Sequence, residues 1–413
     1  MTSTIAHPVV AGGVEGPTAR PLLGAAAADL AEHRRISGPI PWRDGPGRLV
    51  ADVQDAGLTG RGGAGFPTWR KLAAMATGAD PVLVANAAEG EPASAKDATL
   101  LTRCPHLVLD GVQLAAEATG AGSAYLYAKP GPAADAARFA LAQRRAQAWD
   151  RVPVAVVEAP LTFLAGEESA VVAATEGRRA VPRDKARPVY RSGVRGRPTL
   201  VQNVETLAHL AQIARYGARW FRRTGTQDEP GTLLATITGA VTAPGVYELP
   251  HGLPLSAALE LAGGADAPVQ AVLVGGYHGG WLPMATARHA PLSREGLRPY
   301  GCAPGAGVIM ALPRSACGLR AAAGIVGYLA GQSARQCGPC RNGLPAMAAS
   351  LGRLAGSPGP DQPAALRRLA DLVDGRGACH HPDGTARFVR SSLLAFEAEV
   401  GLHLHGRCSA SPR

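Results

Sequence analysis

The sequence predicts an α/β multidomain protein: an α/β domain, then a compact β-rich module, then a helical C-terminal region. Three observations predict it. Apolar runs at 82–87 and 152–160 each end in a polar loop and lead toward helix-like sequence. That pattern belongs to a sheet whose site lies at the carboxyl ends of its strands. Short β-branched runs flank a Pro-Gly turn within 233–276, and from about 317 onward apolar residues recur at helical spacing between Gly-Pro breaks.

The expected order begins with an N-terminal segment, 1–45, whose first 20 or so residues are rich in Gly, Ala and Pro and are expected to be disordered. The α/β domain covers 46–228. Within it, Gly60-Arg61-Gly62-Gly63-Ala64-Gly65-Phe66 places four glycines and one arginine in seven residues. Glycine lets a backbone adopt positive φ and approach a ligand, and successive N–H groups then converge on an anion. Pro67 to Met75 reads as a helix with Pro in its first turn, so the loop feeds a helix N-terminus, a ready phosphate site. Val82 to Ala87 reads as a buried strand followed by Glu89-Gly90-Glu91. The run at 152–160 reads as a second, followed by Gly166-Glu167-Glu168-Ser169 and a helix over 170–176. The β module, 229–290, holds strands at 233–239, 246–249 and 272–276 and a short helix from Pro254 to Gly263. The region 291–413 is helical, with helical spacing over 366–373 and 389–400.

Composition bounds the function. With 413 residues and 46% apolar content the chain has ample core for two to four domains. No run of 18 apolar residues predicts a membrane span, and no basic-then-apolar start predicts a secretory signal. A cytoplasmic protein is expected, either free or held on the inner face of a membrane by partners. The net charge of +10 comes from 38 Arg and four Lys. It suits acidic partners as well as an Arg-rich compositional bias. Basic stripes interleaved with aromatics are missing, which argues against nucleic acid. Two of the scarce lysines, Lys71 and Lys96, fall in the glycine- and carboxylate-rich motifs, where a compact ammonium has a use.

Two constellations carry chemistry. Glu89, Glu91 and Asp97 surround Lys96, and Glu167 and Glu168 form a second acidic loop. Carboxylates beside a glycine loop accept hydrogen bonds from ribityl or ribose hydroxyls; each loop alone also reads as a solvated acidic turn. The seven cysteines are odd in number and lack a secretory context, so a disulfide framework is not expected. Cys337 and Cys340 form C-x-x-C, with Cys379 39 residues beyond and His380 and His381 next to it. Three soft thiolates suit zinc or an iron–sulfur cluster.

The motifs together resemble the flavin-bearing, NADH-oxidising (51 kDa-type) subunit of NADH:quinone oxidoreductase and the related diaphorase subunits. They stand in the family's order: GRGGAGFPT at 60–68, NAAEGEP at 86–92 with Lys96-Asp97, GEES at 166–169, EGRR at 176–179 with Pro182, GRPTLVQNVETLA at 196–208, and CGPCR at 337–341 with Cys379. The middle module resembles the SLBB type, with ITGAVTAPGVYELP at 237–250 and LVGGYHGGWLP at 273–283. The resemblance implies an FMN/NADH-binding α/β domain, a ubiquitin-like β-grasp (SLBB) module and a helical iron–sulfur bundle.

It also implies roles. Gly60 to Phe66 would lie against NADH and FMN, with Phe66 on the adenine and Lys71 at the nucleotide. Asn86, Glu89 and Glu91 would line the flavin and nicotinamide pocket. Gly166, Glu167, Glu168, Asn203 and Thr206 would complete the flavin site. Cys337, Cys340 and Cys379 would hold an iron–sulfur cluster of the 4Fe–4S kind. NADH would reduce the flavin, electrons would leave singly through the cluster, and no catalytic side chain is required. The acceptor would be a small acidic ferredoxin or another redox subunit, a membrane-bound one included. NADH is preferred over NADPH, because a buried Glu near the ribose repels a 2′-phosphate.

This chain departs from the pattern at four places. Ala334 replaces the first cysteine of C-x-x-C-x-x-C, leaving a cubane with a non-cysteine ligand, a three-iron form, or no cluster; Ser333, His380, His381 and Cys317 are candidates for the fourth place. Ala88 replaces an Asp, Gln202 an Asn, and Leu72 a second aromatic at the nucleotide. The other class left open is a non-catalytic scaffold with a degenerate redox site.

Overall fold

The computed structural model describes residues 21–24, 27–75, 80–184 and 187–410; the disorder expected of residues 1–20 lies outside them. The chain divides into two compact units. One takes the described residues up to Ala235 together with Val246–Gly252, and the other takes Thr236–Gly245 and everything from Leu253.

The first unit is built on a parallel four-stranded sheet. Its strands are β1 (Val82–Ala87), β2 (Ser123–Ala128), β3 (Val154–Glu158) and β4 (Thr199–Asn203), in the order β3-β2-β1-β4. The β1 sequence is apolar on both sides because both faces are covered. Leu83 and Ala85 point into one core cluster with Leu126 and Leu200, while Val82 and Val84 join Tyr127, Val171 and Val201 on the other face. Helices Pro105–Thr119 and Val204–Tyr216 contribute Val108, Val112, Leu207 and Leu210 to the larger cluster. The strand order reverses beside β1: β2 and β3 follow on one side, and β4 returns to the other. Such a switch point opens a crevice at the carboxyl ends of the strands.

Helix Leu30–Ser37 starts at Asp29, whose side chain accepts the N–H of Glu32. Its His33 reaches the fully buried Asp110, which also binds Arg144 and Arg215. Two guanidiniums and an imidazole compensate one desolvated carboxylate, whose pKa they hold well below the usual carboxylate range in spite of burial.

A second, five-stranded sheet contains β5 (Thr232–Gly239), β6 (Gly245–Pro250), β7 (Val269–Val274), β8 (Gly280–Pro283) and β9 (Val308–Pro313), ordered β6-β5-β9-β7-β8. The central strand β9 runs parallel to β5 and antiparallel to β7. It lies past residue 290 and was not legible in the sequence. Helix Leu255–Leu261 stands where Pro254 and Gly263 predict one. The C-terminal region is helical, as expected, through Gly318–Gly331, Leu344–Ala355, Gln362–Val373, His381–Ala395 and Glu397–Leu404. The helical spacing read over 389–400 spans two helices, which break at Phe396. Among the described residues no helix is long and apolar enough to cross a membrane.

Candidate functional site

The glycine loop closes on itself before the helix Thr68–Met75. Thr59 bridges Pro67, the Gly60 N–H donates to the Phe66 carbonyl at 2.9 Å, and the Thr68 N–H donates to Leu58 at 3.0 Å. Gly63 and Gly65 sit at φ of 102° and 62°, where a side chain would be strained. Gly62, Ala64 and Phe66 are exposed on the rim. Arg61 is instead buried: its guanidinium donates to the carbonyls of Thr59, Pro230 and Thr232, and its N–H to Thr206 Oγ at 2.8 Å. The arginine that suggests a phosphate ligand in the sequence anchors the loop, while the backbone glycines stay at the surface.

One hydrogen-bond network joins the ends of β1 and β4 and the loop after β3. Asn86 Nδ2 donates to the Gly166 carbonyl at 3.0 Å. Asn203 Nδ2 donates to Asp97 at 2.7 Å, and its Oδ1 caps the following helix at the Glu205 N–H. Lys96 Nζ lies 2.6 Å from Asp97 and 2.8 Å from Glu205, all three buried. Burial works against the Lys96 charge, but Asp97, Glu205 and Glu89 outweigh it and raise its pKa. Glu89 accepts from Ser94 Oγ and the Lys96 N–H. Crowding of its carboxylate by protein, followed by the Asp97 charge, pushes Glu89 up to about 7, although its residue area is still partly open to solvent. Glu91 is buried. Glu167 caps the helix Glu168–Thr175 through the Ser169 and Ala170 N–H groups, and Glu168 holds Lys71 at 3.1 Å.

The glycine of the second acidic loop is needed for close approach. A Cβ on Gly166 would meet the Ala88 carbonyl at 2.5 Å. Ala88 itself is packed with Val84 and Tyr127, and Leu72 is buried in the main core, not presented at the rim.

Two further residues of this constellation were not among those read from the sequence as site residues. Glu205 is the buried counter-ion of Lys96 and also accepts the Leu234 N–H at 2.8 Å. Its position in NVETLA could have flagged it. Lys129 follows β2, where Glu89 and Glu91 act on its charge; burial lowers its pKa against their pull. No motif marks Lys129, because only the pairing of β2 with β1 brings it there.

The residues fit a bound flavin nucleotide. The crevice combines an exposed glycine backbone, Asn and carboxylate acceptors, and a restrained lysine. Thr68 Oγ, next to the glycine loop, and Gln202 Oε, next to Asn203, are buried without a hydrogen-bond partner among the described residues, which leaves polar capacity unused.

In the second unit, Cys340 and Cys379 are buried and Cys337 is partly exposed. Burial, followed by the neighbouring Cys337 and Cys379 thiols, pushes the Cys340 thiol up to about 12. Cys340 lies in a wide helical turn, Pro339–Gly343, of the kind found at functional sites. Three thiolates fit three irons of a cubane. Of the candidates for the fourth place, Ser333 Oγ lies against the Cys340 carbonyl at 3.5 Å. His381 is committed to the Leu329 carbonyl and to His278, and His380 is exposed beside Asp383. Cys317 lies with Glu399 and His403.

Comparison with known proteins agrees with this geometry. Residues 53–212 match the Nuo51 FMN-binding domain, 234–276 the SLBB domain, and 320–403 the NADH-ubiquinone oxidoreductase-F iron-sulfur binding region. The chain is 32% identical over 379 residues to an NADH-quinone oxidoreductase subunit of Rhizobium meliloti, covering 88% of this chain and 90% of that one. It is 33% identical over 386 residues to the corresponding NADH-quinone oxidoreductase subunit of Streptomyces coelicolor, covering 89% and 85%. The crystal structure of an NAD+-reducing [NiFe]-hydrogenase in the H2-reduced state superposes with a TM-score of 0.81 at 30% identity, over 97% of this chain and 68% of that one. The chain belongs to the family of the FMN-binding, NADH-oxidising 51 kDa-type subunit, with an SLBB domain and a 4Fe–4S-binding region.

Proposed function

We propose that the chain binds FMN and NADH in the crevice between the ends of β1 and β4, oxidises NADH there, and passes electrons to a separate protein with an acidic surface. The observation that supports this most is the network from Asn86 through Asn203, Asp97 and Lys96 to Glu205, which fixes polar side chains at the switch point. Bound FMN would supply the conversion of one hydride's two electrons into single electrons, and the cluster would supply their outlet.

The chain's own residues bind and orient. Gly60, Gly62, Gly63, Ala64 and Gly65 would offer backbone to the nucleotides, and the exposed Phe66 ring would cover the adenine. Arg61 would hold the loop in that shape through Thr206 and the 230–232 carbonyls. Asn86, Glu167, Glu168 and Asn203 would receive flavin hydroxyls or ring edges. Lys71, held by Glu168, would face the nucleotide. Glu91 would line the nicotinamide side. Glu89, raised to about 7, would hold or release a proton near neutral pH beside the ring. Cys337, Cys340 and Cys379 would hold the cluster, with the Ser333 hydroxyl at the fourth place.

The similar proteins named above are a quinone oxidoreductase subunit and part of a hydrogenase. By that analogy the acceptor is a further redox subunit or a small acidic ferredoxin, and the +10 charge favours its encounter. The reading is tested by anaerobic NADH titration of the FMN- and iron-reconstituted protein, followed by visible and EPR spectra. Bleaching of flavin bands and growth of a reduced-cluster signal are expected. A protein that stays colourless after reconstitution would sink it.

A further inference from the structure

At the start of helix Gly318–Gly331 stands a second group of soft ligands. Cys317 precedes that helix, Glu399 and His403 lie one turn apart on helix Glu397–Leu404, and Cys408 follows in the C-terminal tail. One donor atom from each of the four lies within 4.8 Å of every other. Cys317, Glu399 and His403 are buried and Cys408 is partly exposed.

The spacing is that of a coordination shell. Cys317 Sγ is 3.4 Å from His403 Nε2 and 3.7 Å from Glu399 Oε1, and those two atoms are 3.1 Å apart. A zinc ion with bonds of ~2.3 Å to sulfur and ~2.0–2.1 Å to nitrogen and oxygen has tetrahedral edges of ~3.4–3.8 Å. Small adjustments convert one into the other. The Ser409 N–H donates to Glu399 Oε1 at 3.1 Å, the outer hydrogen bond that orients a ligating carboxylate. The ligand set is also the right chemistry: two thiolates, an imidazole and a carboxylate select zinc over magnesium or calcium.

We propose that Cys317, Glu399, His403 and Cys408 bind one structural zinc ion. Four protein ligands leave no open position, so the ion acts as a staple and not as a Lewis acid. It ties the start of helix Gly318–Gly331 to helix Glu397–Leu404 and to the tail. The 14-residue helix Gly318–Gly331, at ~1.5 Å per residue, sets this site about 20 Å from the segment that leads to Cys337. The zinc site is therefore separate from the iron–sulfur ligands and stands whether or not the redox function does.

The test is elemental analysis of the full-length protein, expressed with zinc and iron and purified anaerobically. About one zinc per chain is expected besides the iron. A Cys337→Ser/Cys340→Ser variant should lose iron and keep zinc; a His403→Ala/Cys408→Ser variant should lose zinc, keep iron and melt at lower temperature. Should that variant not fold, exchange of the wild-type protein with Co2+ decides: tetrahedral d–d bands and thiolate-to-metal absorption are expected. Zinc-free protein from zinc-supplemented cells with no such cobalt spectrum overturns the proposal. So does zinc that leaves with Cys337 and Cys340, or a Cys317–Cys408 disulfide in non-reducing peptide maps.

Discussion

Lys96 Nζ and Glu205 Oε2 lie 2.8 Å apart in the interior, although 109 residues separate them in the chain. The pair joins the start of helix Lys96–Arg103 to the helix after β4, two elements that border the candidate flavin crevice. Asp97 shares the ammonium and Asn203 holds Asp97, so the pair cannot be removed without disturbing the crevice wall. Lys96→Met leaves two buried carboxylates uncompensated. It should destabilise the protein by about 3–5 kcal/mol in urea unfolding and abolish FMN retention on gel filtration. Wild-type flavin occupancy and stability in that variant would remove the pair from the design of the site.

Glu89 supplies a pH signature. Folded, its carboxyl titrates near 7; an unperturbed Glu does so near 4.5. Between those values the folded state carries the proton and the unfolded state has lost it, so Glu89 lowers stability as pH rises through this window. Glu248, raised by burial to about 7, acts in the same sense. In FMN-free protein Glu89→Gln should flatten part of the fall in melting temperature from pH 5 to 7, leaving the Glu248 share (about 2.3RT per pH unit for each fully protonated carboxyl at most). An unchanged profile would show that Glu89 titrates normally.

Gly166 is restricted by the Ala88 carbonyl, 2.5 Å from where a Cβ would stand. Gly166→Ala must push the acidic loop away from the β1 end and break the Asn86 contact to the Gly166 carbonyl. Flavin binding should fall at least about tenfold, the equivalent of ~1.4 kcal/mol, while circular dichroism stays unchanged. Isothermal titration with FMN measures it.

Phe66 is 45% exposed, at the rim of the glycine loop. In the proposed site its ring would stack on the adenine. Phe66→Ala should raise KM for NADH about five- to tenfold, from ~1–1.5 kcal/mol of lost stacking, with kcat changed little. A fall in kcat at constant KM would place the ring elsewhere.

Ala334 stands where a fourth thiolate would complete the cysteine set. Ala334→Cys should raise the stability of the cluster toward air and shift its reduction potential, both read by EPR-monitored titration. Ser333→Ala in the wild-type background should lower iron content; equal iron in both would exclude Ser333 as a ligand.

Much of the site could be read from the chain, because backbone chemistry writes itself in glycines. The GRGGAGFPT loop, the GEES turn and the C-x-x-C were visible as clusters, and β1 was visible because a strand buried on both faces is apolar throughout. The strands β2 and β4 were less visible: Tyr, Thr and Gln in short segments carry no period that separates them from loops. β9, VIMALP, is a short apolar run, and such a run does not separate a buried strand from a buried helix. Phe396, buried yet breaking a helix, shows the same limit.

By itself the sequence determined the family, the order of the units, the glycine and acidic loops and the three clustered cysteines, since each is a local pattern. Only the tertiary structure decided what Arg61 and Leu72 do, that Lys129 stands by Glu89 and Glu91, and that Glu205 neutralises Lys96. It alone gathered Cys317, Glu399, His403 and Cys408 across the C-terminal helices. The physical reason is the same in each case: burial and charge compensation depend on which strands and helices become neighbours, and that is settled by packing, not by the residues beside them in the chain.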